Sequence, residues 1–467
     1  MFKSIFSNSF GILISRVTGL ARDVLMTSAL GANVWSDIFF MAFKFPNLFR
    51  RIFAEGSFTQ SFMPSYIASG QKSVFAVAIF IRFMIFIVAL SFLVTLFPGV
   101  FTKLLAWDWD AELISKTAPL TAINFWYLDL IFIVTFLGTL LQHKEHFFTT
   151  AFSTVWLNIA MVAALILFAK SDPKTIVYML SFSILIGGLM QVVTHLYAMR
   201  QKGLLKILVG GWKYRKAKNV KEEESKFASL FFPSVLGNST AQIASFIDTS
   251  LASFLAAGSV SYLFYANRIF QLPFAIIALA ITTALFPAIA KAIKNENHAL
   301  AFRNLHKSFW LLSVLLGISV LGGTLLSEPI VWLLFERGHF TVQDTRNTAD
   351  VLNMYMLGLV PFGLAKLFSL YLYAMHKHVK AAKIAAASLI VNIIFSLLLM
   401  KPLGAAGLAL AGSIGGGVQM ILTIKEIGWG IFLELLKTRM SLYFILAMAG
   451  FSVVFYTLNQ FLIQLIR

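Results

Sequence analysis

Residues 36–64 read SDIFFMAFKFPNLFRRIFAEGSFTQSFMP, and residues 11–32 just before them read GILISRVTGLARDVLMTSALGA. Both stretches are apolar. Yet together they carry Arg16, Arg22, Lys44, Arg50 and Arg51, with acids at Asp23, Asp37 and Glu55. A charge at the centre of a bilayer costs roughly 2.5–3.5 kcal/mol on insertion scales. So many in two adjacent segments predict a wet, protein-lined cavity rather than lipid contact. The excess of cations predicts an anionic cargo.

The rest of the chain sets the solvent. Hydrophobic residues make up 59% and charged residues 12%, about half the charged share of a soluble domain, so a soluble globule is excluded. Apolar runs near the length needed to cross hydrocarbon recur throughout, without the ten-residue alternation of a membrane barrel. The fold class is all-α and polytopic. A formal charge of +18 raises nucleic acid as a partner, but its distribution argues for topology instead, and no nucleic acid is expected. There are no cysteines, hence no disulfide and no thiolate metal site. The N-terminus, MFKSIFSNSFGILIS, lacks a cleavage-site pattern and reads as the start of a retained helix.

Hydrophobic segments fall near 8–30, 34–68, 74–99, 118–141, 147–169 and 175–198. After a basic stretch come 227–256, 260–290, 308–327, 347–374, 384–400, 405–424 and 440–464. This divides the chain into a six-helix lobe (1–199), a basic linker (200–226), a second six-helix lobe (227–425) and an extra C-terminal helix region (426–467). The second segment is too long for one straight span, and Pro46 is expected to break or kink it. One set of loops holds most of the basic residues, among them Lys144, Lys202, Arg215, Lys291, Lys307, Lys377, Lys380 and Lys425. The alternate set holds only Lys103, Lys116, Lys170, Lys174, Arg337, Arg346 and Lys401. The first set is therefore expected in the cytoplasm, together with the N-terminus.

The lobes echo each other. LLQHKEHFFTTAFSTVWLNIAM and LYAMHKHVKAAKIAAASLIVNII each place a His-Lys pair and a further His at a helix end, then an asparagine in the next helix, Asn158 or Asn392. Lys44 and Pro46 correspond to Arg268 and Pro273. With six spans per lobe, this is a parallel repeat, an architecture that places substrate between its halves.

Taken as one helix, the second segment brings Asp37, Lys44, Arg51 and Glu55 within about 40° of one another, while Arg50 points elsewhere. Arg268 lies in the matching element of the second lobe. Asp248, in SFIDTSLASFL, is either its salt-bridge partner or a cation or proton site. Asn392 and Ser396, one turn apart, could supply sodium oxygens or bond across helices. Arginine forks hold phosphate oxygens bidentately, so three or more suit a diphosphate. No phosphate loop of the G-x-x-x-x-G-K-[ST] type is present, which argues against ATP hydrolysis. The histidines His143, His146, His376 and His378 read as interfacial residues, not metal ligands.

SRVTGLARDVL and the pattern FKxPNLxRRxxAEGxFxQxFxP, with ASFLAAGSVSYLFYANRIFQLP and FERGHFT further on, resemble the MurJ (MviN) family of bacterial lipid II flippases. The resemblance implies a MOP-superfamily fold, two six-helix bundles in a V around a central cavity plus C-terminal helices. It implies a transporter rather than an enzyme. Its cargo would be lipid II, the undecaprenyl-diphosphate-linked peptidoglycan precursor, moved from the cytoplasmic to the outer leaflet of the inner membrane by alternating access. The motif positions that bear the family's essential cations are Arg16, Arg22, Arg50 and Arg268, with Lys44, Asp37, Arg51 and Glu55 in the same block. The extra C-terminal helices imply a groove for the lipid tail, although this chain has room for about one such helix. Asp248 and Asn392 match a sodium site of some members, whereas Ser396 and Gly412 depart from it. A monomer is expected, in contact with membrane lipids and with cell-wall synthesis proteins. The competing readings are an exporter of another polyprenyl-diphosphate-linked glycan and a non-transporting scaffold for cell-wall synthesis.

Overall fold

Backbone polar groups have no water to bond inside a bilayer, so a spanning chain with no closed barrel must be helical. The computed structural model describes residues 2–50, 56–216 and 219–466, with side chains except at 2–10, 12, 236–241, 283 and 465–466; these residues form helices and no strands. They divide into two compact units, Met1–Ser250 and Leu251–Arg467. Among the described residues, nine helical stretches are long and apolar enough to cross a membrane. The protein is a multi-pass membrane protein.

The first unit contains α1 (Phe2–Leu30), α2 (Val34–Phe49), α3 (Ser57–Ala68), α4 (Lys72–Leu96), α5 (Pro98–Leu105), α6 (Ala111–Phe125), α7 (Tyr127–His143), α8 (Phe148–Leu167), α9 (Pro173–Gln201), α10 (Leu205–Tyr214) and most of α11 (Lys221–Ala252). α1 packs on α8, α8 on α9, α9 on α7, and α2 on α6. Its aromatic core joins α3, α4, α7 and α11. Phe58 and Phe62 stack at 5.2 Å, and Phe227 lies 6.0 Å from Phe58 and 5.7 Å from Phe83. These contacts draw the start of the seventh segment into the first unit, so the compact-unit boundary falls after Ser250 rather than at the expected residue 226.

The second unit continues with α12 (Ser259–Pro273), a π-helical stretch Phe274–Leu279, α13 (Ala280–Lys294), α14 (His298–Leu325), α15 (Ser327–Phe335), α16 (Val342–Leu357), α17 (Leu359–Ala374), α18 (His378–Ile427), α19 (Trp429–Leu436) and α20 (Arg439–Ile466). α20 packs on α14, where Phe444 meets Trp310 at 6.0 Å. The 428–439 segment forms the short helix α19, leaving one long extra helix.

Pro46 does not break α2. The helix runs through it to Phe49, and the Arg50 N–H reaches the carbonyls of Pro46 and Asn47. A proline near the last turn removes a single donor, which membrane helices tolerate by local readjustment. The matching Pro273 is followed at once by the π-helical stretch. The repeat shows elsewhere too. Both fourth segments break in the middle, at Trp126 and at Gly358. Both then end in the same turn, with Glu145 (φ 55°) and His376 (φ 59°) left-handed and the next N–H bonded back to Leu141 or Leu372. The turn is shared, but the histidines occupy different places in it.

α18 is one label on two spans. Gly404 has φ 57° and ψ −136°, open to glycine and strained for any other residue. The chain folds back there, because Ser388 donates to the Gly415 carbonyl at 2.7 Å and a Cβ on Gly407 would overlap the Leu399 carbonyl oxygen. The halves correspond to the segments expected at 384–400 and 405–424. Gly404→Val should therefore destabilise the protein by about 1–3 kcal/mol. Gly412→Ala, with nothing within 4 Å of the new methyl, should be neutral or slightly stabilising. Thermal unfolding in detergent distinguishes them, and equal melting temperatures would refute the hairpin.

Candidate functional site

Arginine has five donors in a planar fork and stays charged, so a buried one must find acceptors. Arg22, on α1, is 7% exposed and its neighbour Asp23 is fully buried. Arg22 Nη2 and Nε donate to Asp23 Oδ1 at 2.6 and 3.0 Å. The third edge of the fork turns to α8, where Nη1 donates to Asn158 Oδ1 at 3.1 Å and lies 3.9 Å from Met161 Sδ. Asn158 in turn donates through Nδ2 to the Ser15 carbonyl and to Thr18 Oγ1, both at 3.1 Å. Thr154 Oγ1 donates to Ser15 Oγ at 2.7 Å. One asparagine thus ties α1 to α8 while accepting from the cation.

Arg16 lies on another face of α1 and is exposed. At 100° per residue it points about 120° from Arg22, so the two do not meet in the first unit. On α2, Asp37 is 5% exposed and Lys44 and Arg50 are half-buried. Lys44 Nζ donates to Ser245 Oγ on α11 at 2.8 Å. Asp248 is half-buried and sits three residues after Ser245 on α11. Arg51 and Glu55 lie outside the described residues.

In the second unit, Arg268 is half-buried on α12 with its guanidinium 5.8 Å from the Phe264 ring. Asn392 is 6% exposed and accepts the Ser396 hydroxyl at 3.1 Å along its own helix. No group of three or more His, Asp or Glu side chains gathers in metal-binding fashion among the described residues. Residue types alone did not single out Asn158 and Ser245 as partners of the cations. An amide inside an otherwise apolar helix is the signal that could have flagged Asn158. A further buried acid, Asp129 on α7, is 5% exposed and accepts the Ser91 hydroxyl at 2.6 Å.

What this arrangement can do is hold several cations inside apolar helices, some fully compensated and others reachable. Comparison with known proteins identifies the scaffold. The family model described as "Lipid II flippase MurJ" matches residues 26–465. This chain belongs to the MurJ family. A relative from Helicobacter pylori named "Probable lipid II flippase MurJ" is 50% identical over 437 residues, covering 91% of this chain and 94% of that protein. One from Rhizobium tropici with the same name is 32% identical and covers 89% and 79%. A solved structure, "Lipid II flippase MurJ, inward closed conformation", aligns with a TM-score of 0.80 at 24% identity, covering 98% of this chain and 99% of that one. An inward-facing multidrug resistance MATE family transporter of the MOP superfamily aligns at 0.70 with 14% identity, covering 93% and 99%. The MOP fold assigned to the family is thus the fold of this chain.

The Arg22 cluster makes a stability prediction. Asp23→Ala should cost about 3–5 kcal/mol, since it leaves a buried cation without its counter-charge. Arg22→Met combined with Asp23→Ala should recover much of that loss. Unfolding titrations of the purified variants decide it, and a double variant no more stable than Asp23→Ala alone would show that the pair is not coupled.

Proposed function

We propose that this protein flips lipid II from the cytoplasmic to the outer leaflet of the bacterial inner membrane by alternating access. Its first-unit cations Arg16, Lys44 and Arg50 engage the diphosphate, and Arg22 organises the helix that carries Arg16; Arg268, on the matching element of the second unit, is a further cation assigned to the same cargo. Membership of the MurJ family supports the cargo. The single structural observation that carries the reading is the exposed Arg16 on α1, a helix that is otherwise apolar, where a cation is costly to hold in hydrocarbon and an anionic headgroup would meet it. Cationic drugs, the cargo class of multidrug exporters, would be repelled by the same charge. The N-terminus is cytoplasmic in this reading, in keeping with the loop charges.

The lipid tail needs an apolar path. An open apolar depression between α14 and α20, lined by Leu321, Leu325, Val453 and Tyr456, offers part of the tail a surface to lie along.

Depletion of the protein with a leaflet-resolved assay of lipid II tests the reading: lipid II should accumulate in the cytoplasmic leaflet. Equal leaflet distribution before and after depletion would overturn it. Arg16→Ala is the cleanest single substitution, because the side chain is exposed and its loss should leave stability within about 0.5 kcal/mol. Complementation should fail while membrane levels stay normal. Growth supported by Arg16→Ala would remove this residue from the diphosphate site.

A further inference from the structure

The segment 200–221, RQKGLLKILVGGWKYRKAKNVK, contains eight cations and no acid. Its middle is the helix α10, which is neither a span nor a solvated loop. α10 follows directly on the end of α9 and lies across the first turns of α4. Its Gly211 packs so closely that a Cβ there would overlap the Ser73 carbonyl oxygen and crowd Val77. Further along, Glu224, which is 6% exposed, receives Arg82 Nη2 of α4 at 2.7 Å. The linker is thus fastened to α4 at two points. It sits at the level where α9 ends and α4 begins, which for spanning helices is the membrane surface.

Around the helix axis, three sectors separate. Leu204 and Gly211 are buried on the α4 side. Leu205, Val209 and Trp212 fall within about 60° of one another on a second sector, with Val209 68% and Trp212 57% exposed. Lys206 and Lys213 lie about 20° apart on a third sector, beside the apolar stripe. Arg215 stacks over the Trp212 ring at 3.5 Å and donates to the Trp212 carbonyl at 3.3 Å. Its cation is thereby held against the ring instead of extending away from it. An exposed apolar stripe bordered by lysines, with a tryptophan at its edge, has the form of a helix lying in a bilayer interface. We infer that α10 is a binding surface for anionic phospholipid headgroups, with Val209 and Trp212 at the acyl boundary and Lys206, Lys213 and Lys216 on the phosphates. Lipid composition would then act on α4 and α11 through the Gly211 and Glu224 contacts. The inference rests only on the chain's being a membrane protein and not on its cargo.

The chain has no cysteine, so Val209→Cys gives a single labelling site. Full-length protein carrying an environment-sensitive fluorophore there is reconstituted in phosphatidylcholine vesicles, with or without phosphatidylglycerol. Acrylamide, a neutral quencher, reports water access, and a lipid brominated near the headgroup reports bilayer contact. The expected result is less acrylamide quenching and more lipid quenching when phosphatidylglycerol is present, reversed by raised salt. Replacing Lys206, Lys213 and Lys216 with Gln should lower the preference for phosphatidylglycerol about fivefold per lysine removed. A Lys170→Cys label on a separate loop serves as the exposed control. Equal quenching in both vesicle types, access as high as at the control site, or protection only when RNA or an acidic protein is added would each overturn the proposal.

Discussion

The cost of holding a charge away from water governs this protein. A buried cation in an apolar helix is tolerable only when a counter-charge and further hydrogen bonds meet it, and Arg22 shows what that demands. Asp23 neutralises it from the next position on α1. Asn158 on α8 then accepts from the guanidinium and bonds the α1 backbone with its other end. The helix pair is therefore set by the needs of one side chain. Cations that are not so enclosed, such as Arg16, remain available to an anion from outside.

Hydrophobic burial cannot drive helices together in lipid, because acyl chains are as apolar as the helices. Close backbone approach and interhelical polar contacts replace it. At Gly187 on α9 the space for a Cβ ends 2.7 Å from the Leu157 Cα of α8. The hairpin of α18 is closed in the same way, by a serine hydroxyl on a backbone carbonyl. Aromatic side chains add a cluster of their own, the phenylalanines joining α3, α4, α7 and α11. These contacts hold each unit together.

The linker shows the complementary case. α10 leaves its lysines and Val209, Trp212 and Tyr214 exposed, and it fastens to α4 through a glycine, with the Arg82–Glu224 pair holding the start of α11 to the same helix. Exposure on that helix and burial on α1 obey the same electrostatics: charge goes where water or phosphate can reach it, or where a partner has been built.

The sequence by itself determined the solvent, the helical membrane fold and the family. Those are properties of local hydropathy, charge along the chain and short motifs, each readable within a window of residues. It also marked the charged block at 16–55. What only the tertiary structure decided is which of those charges are enclosed. Arg22 meets an amide 136 residues away and Lys44 a hydroxyl 201 residues away. Helical periodicity says which face a side chain occupies, but not which helix faces it. The capture of the start of α11 by the first unit was settled likewise, by contacts between segments far apart in the chain.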